Sequence, residues 1–296
     1  SSVGKDVNLS LKGNVEVNRN STLNTNGQVT ISEGVSLSNA SLNAAVGSMT
    51  TTELAVAGQS NLLGDAKADN LTLNNNASAG NNVLNIGNNS GSGTLTVKKA
   101  DLHGGTLFLD PEWKPGGTIN DASGLAVTGA TTLSGHYVVG QNSYLSLRAS
   151  LEAARTVFAK TEETWAATGI TAAAYVDSKI DVSGGSLVVD GSLDSYSGTS
   201  TTGSVKFADQ SLLMVNGANI QSEAAITGVS NADINAGSKL YIDNAQEGKV
   251  YKISNSSLTS WSEKNIFSNN KLLKFSILAG PDFSVSTSAL SMNEAY

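Results

Sequence analysis

Short apolar couplets recur along the chain, each with its outer two residues on one face and its middle residue on the other. Val15-Glu16-Val17, Val29-Thr30-Ile31, Val35-Ser36-Leu37, Leu54-Ala55-Val56, Leu71-Thr72-Leu73, Leu95-Thr96-Val97 and Leu107-Phe108-Leu109 set the pattern. Leu125-Ala126-Val127, Ile180-Asp181-Val182, Leu187-Val188-Val189, Val205-Lys206-Phe207 and Leu240-Tyr241-Ile242 continue it. Period-two alternation predicts strands, because successive side chains of an extended chain leave opposite faces. Between the couplets stand corners such as Asn24-Thr25-Asn26-Gly27, Asn74-Asn75-Asn76, Asn88-Asn89-Ser90-Gly91 and Ser183-Gly184-Gly185. Asn and Gly adopt the positive φ that sharp corners need, and stacked Asn side chains can bond to one another.

No helical period separates most of these strands, which disfavours a βαβ architecture. Three strand-and-corner units per coil predict a rung of roughly 18–25 residues, the range of solenoid repeats. A single coil cannot bury its own apolar edge, whereas stacked coils bury it continuously and need caps at their ends. The expected fold is all-β: a right-handed, single-stranded parallel β-helix over residues 1–244.

Two stretches depart from the pattern. Residues 146–165 are rich in helix formers, and Leu147, Leu151, Ala154 and Phe158 fall near helical spacing. A short helical excursion is expected there, with Glu152, Arg155, Glu162 and Glu163 toward solvent. It would cover a lateral face or serve as a partner-binding or self-association element. Residues 245–296 form the second departure. Aromatics gather here, and Lys249–Ile253 and Lys271–Ile277 read as longer amphipathic strands, with Phe283-Ser284-Val285 following a Gly-Pro turn. This segment suits a β cap, with Tyr251, Ile253, Leu273, Phe275, Ile277 and Phe283 as its inward-facing residues.

Composition narrows the picture further. The 296 residues include 41 Ser, 30 Asn and 30 Gly but only 3 Pro, with 15% charged and 5% aromatic residues. A disordered chain would carry more charge and fewer β-branched residues. The net charge of −7 and the lack of any basic run argue against nucleic acid or an anionic membrane as partner. Cysteine is absent, which fits a chain that crosses the periplasm and an outer-membrane pore before folding. No signal peptide and no apolar run of spanning length is read in the chain. The chain is not expected to be membrane-embedded itself, and in a secreted protein the targeting and anchoring parts would lie outside these residues.

Catalytic sets are sparse. No Ser lies in a Gly-x-Ser-x-Gly elbow. The two histidines, His103 and His136, have Asp101, Asp110 and Ser134 nearby in sequence, a spacing that reads as coil corners. Asp181, Asp190 and Asp194 could approach one another across adjacent coils, and glycoside hydrolysis needs two carboxyls roughly 5–9.5 Å apart. Their neighbourhood lacks pectinase-type Asn-x-Asp, Asp-Asp and Gly-His-Gly motifs, so a solvated face is expected, with weak Ca²⁺ binding as the lesser reading. Two histidines and no cysteine do not make a zinc site, and no phosphate-binding Gly-rich loop ends in Lys-Ser/Thr. No catalytic residue, metal or cofactor is expected. The stiff segment Pro111, Trp113 and Pro115 is either packed back on the coil or a contact loop.

The Asn/Ser/Gly-rich ladder resembles the passenger of type V secretion autotransporters. The C-terminal part is similar to their junction or autochaperone region. The residues that carry this likeness are Gly248-Lys249-Val250-Tyr251-Lys252-Ile253, Asn270-Lys271-Leu272-Leu273-Lys274-Phe275 and Asp282-Phe283-Ser284-Val285. The resemblance implies a non-enzymatic adhesin at a Gram-negative cell surface or outside the cell, attached to an outer-membrane β-barrel beyond these residues. Its partners would be a host surface protein or glycan, or a second copy on a neighbouring cell, met through lateral faces. Its C-terminal segment would fold first and template the upstream coils. The rival readings are a carbohydrate-active β-helix, hydrolase or lyase, and an inert structural stalk.

Overall fold

The computed structural model describes residues 8–73, 82–110, 121–165, 169–192, 201–256, 258 and 261–291. It is 57% strand and 7% helix, and its strands form one 19-stranded sheet and one of five strands. Every strand pair described in the larger sheet is parallel.

The pairings sort into three series. The first runs from Asn8–Leu11 through residues 28–31, 48–51, 65–68 and 94–97. It continues through Ser123–Val127, Ser143–Leu147, Ala172–Val176, Ser211–Asn216 and Lys239–Asp243 to Ile266–Phe267. The second runs from Thr22–Asn24 through residues 41–44 and 59–62 to Val83–Ile86 and Thr106–Leu109. His136–Val139, Ser186–Val189, Ser204–Phe207 and Asn231–Ile234 complete it. The third starts at Asn14–Asn18 and climbs through residues 34–38, 53–56 and 70–72. A separate parallel stack in the smaller sheet joins Ile180–Asp181, Ile226–Thr227 and Val250–Ser254.

Paired residues stand 20 apart at Asn8↔Gln28, Asn14↔Gly34, Gln28↔Ser48, Ser41↔Asn61 and Ser123↔Ser143. Longer steps, such as the 50 residues from His136 to Ser186, leave the register intact and put the extra chain into excursions. Register holds because the couplets stack like on like. Val29, Met49, Ala66, Leu95, Leu125, Leu145, Ala174, Leu213 and Leu240 lie in one inward row. A one-residue slip would turn the whole row outward.

Corners reinforce the register. Asn39 has φ 48°, and its Oδ1 accepts the Gln59 N–H at 3.1 Å, 20 residues on. Asn82 Oδ1 accepts from Gly58 N at 2.8 Å. Asparagine side chains also bond to each other across rungs, Asn85 donating to Asn61 at 3.1 Å and Asn244 to Asn216 at 2.9 Å. Gly185 sits against the Gly135 backbone, where any Cβ would collide with the Gly135 carbonyl.

The helix, α1, spans Leu151–Trp165 and begins later than the sequence pattern suggests. Ser146 and Leu147 belong to a strand paired on both sides, and Leu147 is buried in the main interior. Arg148 then takes φ 68°, which no α-helix can incorporate. Ser150 Oγ accepts the Ala153 N–H and starts the helix. Ala154 and Val157 pack on the outer face of the first series, against Tyr144, Tyr175, Met214 and Tyr241. Arg155, expected in solvent, lies instead with its guanidinium 5.6 Å from the Tyr144 ring centroid. Lys160 Nζ reaches the buried Asp243 carboxylate at 3.0 and 3.1 Å and fastens the helix.

Tyr137 stands in an inward row between Leu107 and Leu187. Its hydroxyl is buried and has no hydrogen-bond partner among the described residues, and burial pushes its pKa up. A buried unmade hydrogen bond costs about 1–3 kcal/mol. Tyr137→Phe should therefore keep or raise the melting temperature. A drop of several degrees in a calorimetric scan would mean that the hydroxyl is satisfied.

Candidate functional site

The outward residues of the first series form polar rows over the first hundred residues. Ser10, Thr30, Thr50, Lys67 and Thr96 align in register, flanked by Asn8, Gln28, Ser48, Asp65 and Thr94. Neighbouring members are set one strand spacing apart, about 4.8 Å. They bond across rungs: Thr94 donates to Asp65 at 3.1 Å, and on the third series Thr72 donates to Glu53 at 2.6 Å. Farther along the same outer face turns apolar, at Tyr144, Tyr175, Met214 and Tyr241, and α1 covers it. The exposed polar face and the covered apolar face are thus successive stretches of one sheet.

The residues weighed for chemistry do not converge. Asp181 lies on a strand of the smaller sheet, and its Oδ1 accepts the Ser183 N–H at 2.8 Å. Asp190 follows a strand of the second series and is buried, accepting from Ser192 N and Oγ at 3.1 and 2.9 Å. Each carboxylate caps its own turn, beside strands of different sheets. Asp194 lies outside the described residues, as do Pro111, Trp113 and Pro115. Asp110 is buried with φ 39°. His103 has φ 46° at an exposed corner, and its N–H donates to Asp101 Oδ1 at 3.3 Å.

His136 has a partner that sequence spacing did not suggest. Its Nδ1 lies 2.9 Å from Ser186 Oγ, 50 residues away on the next strand. Only the strand register reveals the pair. Ser186 is fully buried, so its hydroxyl is shielded from outside electrophiles and the contact joins two rungs. Burial lowers the pKa of His136. The unfolded chain therefore takes up the proton first.

The residues expected to form a cap lie on three neighbouring strands. Val250–Ser254 runs antiparallel to Phe283–Ala289, which runs antiparallel to Leu273–Leu278. Tyr251, Ile253, Leu273, Phe275 and Phe283 are buried, and Ile277 packs partly buried against the same interior. Tyr251 Oη accepts the Gln246 N–H at 2.7 Å. Trp261 joins the cap to the sheet. Its ring centroid is 5.3 Å from Phe207 and 5.9 Å from Phe283, and its Nε1 donates to Ser238 Oγ at 2.9 Å.

No protein family, no curated protein and no solved structure matches the chain. Among the described residues no cluster of acidic, His or Cys side chains could hold a metal ion, and no helix is long and apolar enough to cross a membrane.

Two outcomes follow from this geometry. Leu273→Asp or Phe275→Asp puts a charge into the cap interior and should lower stability by several kcal/mol; wild-type melting and refolding rates in both variants would refute the cap's role. For His136, stability is fully present above the unfolded pKa of about 6.5 and is lost as pH falls toward the lower folded value. Denaturant midpoints measured from pH 7.5 downward should fall more steeply for wild type than for His136→Gln, and parallel curves would remove His136 from the account.

Proposed function

We propose that the chain is a right-handed, single-stranded parallel β-helix forming a surface-exposed passenger fragment of an autotransporter-type adhesin. It works by contact, through its lateral faces, and carries out no catalysis. Its place is the surface of a Gram-negative cell or the space outside it, joined to an outer-membrane β-barrel beyond these residues. Its partner is a host surface protein or glycan, or a second copy on a neighbouring cell.

The observation that carries this reading is the 20-residue parallel register that returns in all three series of strands. One wound chain with three strands per turn explains it directly. The antiparallel strands and the Trp261 ring set tilted against Phe207 and Phe283 support the reading of residues 245–296 as a cap and folding nucleus. The in-register Ser, Thr, Gln and Asn rows offer closely spaced donors and acceptors to a glycan or to an identical face. Separation of Asp181 from Asp190 onto different sheets weighs against a carbohydrate-cleaving cleft.

The test is display of the chain on an otherwise non-adherent bacterium. Clumping that soluble protein inhibits is expected for self-association, and gain of attachment to host cells or matrix for a heterophilic adhesin. Thr30→Glu should reduce either effect, with stability changed by no more than about 0.5 kcal/mol. Folded, exposed protein that confers neither property would leave a stalk and overturn the adhesin.

A further inference from the structure

The helix α1 leaves the parallel ladder and returns to it without interrupting it. The strands before and after it, Ser143–Leu147 and Ala172–Val176, pair with each other along their whole length. The ladder therefore closes beneath the excursion. Residues in the left-handed region stand on both sides of α1, Arg148 at φ 68° and Gly169 at φ 71°. Arg148 is fixed to the rungs, its Nε donating to Ser178 Oγ at 3.1 Å and its Nη1 to the Gly129 carbonyl at 2.9 Å. The base of the excursion is thus held by the sheet rather than by the helix.

α1 also shares no apolar interior with the inward rows. Ala154 and Val157 pack with Tyr144, Tyr175, Met214 and Tyr241 in a cluster separate from those rows. That seam is incompletely satisfied. Tyr144 Oη, Tyr241 Oη and Arg155 Nε are buried and have no hydrogen-bond partner among the described residues, and water would reach all three with the helix lifted. Besides apolar contact, charge holds α1 down. The Arg155 guanidinium lies against the Tyr144 ring, and Lys160 pairs with Asp243. Asp243 is buried but Lys160 is partly exposed, so dissolved salt reaches the pair from the helix side.

We propose that α1 is a salt-sensitive strap, which lifts from the sheet as one unit while the parallel ladder stays folded and uncovers a tyrosine-rich strip. Every contact that α1 gives up is its own, so lifting it costs less than unfolding the ladder. Tyr175, Met214 and Tyr241 stand in register on successive rungs. Their row is the one that carries Thr30, Thr50 and Thr96. With the strap closed, the exposed part of that row is polar; with the strap open, aromatic faces extend it. The proposal does not rest on an adhesive role for the polar part.

Hydrogen exchange on the full chain tests this, compared between α1 and the strands Ser143–Leu147 and Ala172–Val176. The α1 amides should exchange at least about tenfold faster than the strands, as sub-global opening requires. Their exchange should rise several-fold from about 0.05 M to about 0.5 M NaCl, with the strands unchanged. Lys160→Met should speed α1 exchange by about tenfold at low salt and abolish the salt response. Gly124→Ala would set a Cβ 2.9 Å from the Tyr144 ring and 3.1 Å from Leu151 Cδ2. It crowds the closed seam without touching the ion pair, so it should speed α1 exchange and keep the salt response, and it carries the test if Lys160→Met fails to fold. Tetranitromethane should nitrate Tyr144 and Tyr241 in step with α1 exchange and spare Tyr137, which is buried among the inward rows. Exchange of α1 and both strands at one rate, or nitration of Tyr137 together with Tyr144, would mean that α1 opens only with the whole fold and would overturn the proposal. So would a salt response retained in Lys160→Met, or α1 exchange unchanged in Gly124→Ala.

Discussion

The structure depends on one constraint: each strand must meet the next in parallel register, 20 residues further along at Asn8↔Gln28 and 50 at His136↔Ser186. The backbone ladder supplies the hydrogen bonds, and the same ladder puts apolar side chain on apolar side chain in the inward rows. Neither part stands alone. A strand of four residues such as Val83–Ile86 buries too little surface to persist in isolation, and a row such as Leu62, Ile86, Leu109 and Val139 exists only while the register holds. Stability is therefore shared along the chain and is most vulnerable at the ends.

The same constraint sorts what can vary. Excursions of any length enter at corners, because a loop that leaves and returns at one rung does not disturb the next. The step from His136 to Ser186 takes in α1 and still returns to register. What each excursion does depends on the face it meets. Over the first hundred residues the outer face of the first series bears Ser, Thr and Gln, and nothing in the described chain covers it. At Tyr144, Tyr175 and Tyr241 the face is apolar, and α1 lies across it. The anchors are specific: the Arg155 guanidinium over Tyr144 and the Lys160 ion pair with buried Asp243.

Strands whose couplets carry a period of two between Asn and Gly corners were legible in the sequence; Ala172–Val176 and Ser211–Asn216, buried on both faces, carry no such alternation and were not read. The helix was legible in composition but not in its start. Leu147 satisfies helical spacing as well as strand alternation, and the strands on either side of Ser143–Leu147 decide between them. Arg155 was misread for a related reason: a charged residue near a helix surface looks solvent-bound until an aromatic ring is known to lie beneath it. The contact of His136 with Ser186 and that of Lys160 with Asp243 span 50 and 83 residues. Long-range pairs of this kind follow from register, and the imprecise repeat hides the register from local inspection.

The smaller sheet begins parallel, with Ile180–Asp181, Ile226–Thr227 and Val250–Ser254 stacked in register. Within the parallel series, each rung is covered by a like rung above and below. Beyond Val250–Ser254 the described chain reverses direction, and Phe283–Ala289 pairs antiparallel on both sides. The side chains buried there are large ones, Trp261, Phe275 and Phe283 among them. Trp261 fills that end between Phe207 and Phe283 and still reaches Ser238 with its indole N–H. Closing one end in this way moves the unpaired edge rather than abolishing it. The edge reappears at Leu273–Leu278, where Glu263 satisfies one amide and exposed Lys274 discourages chance pairing.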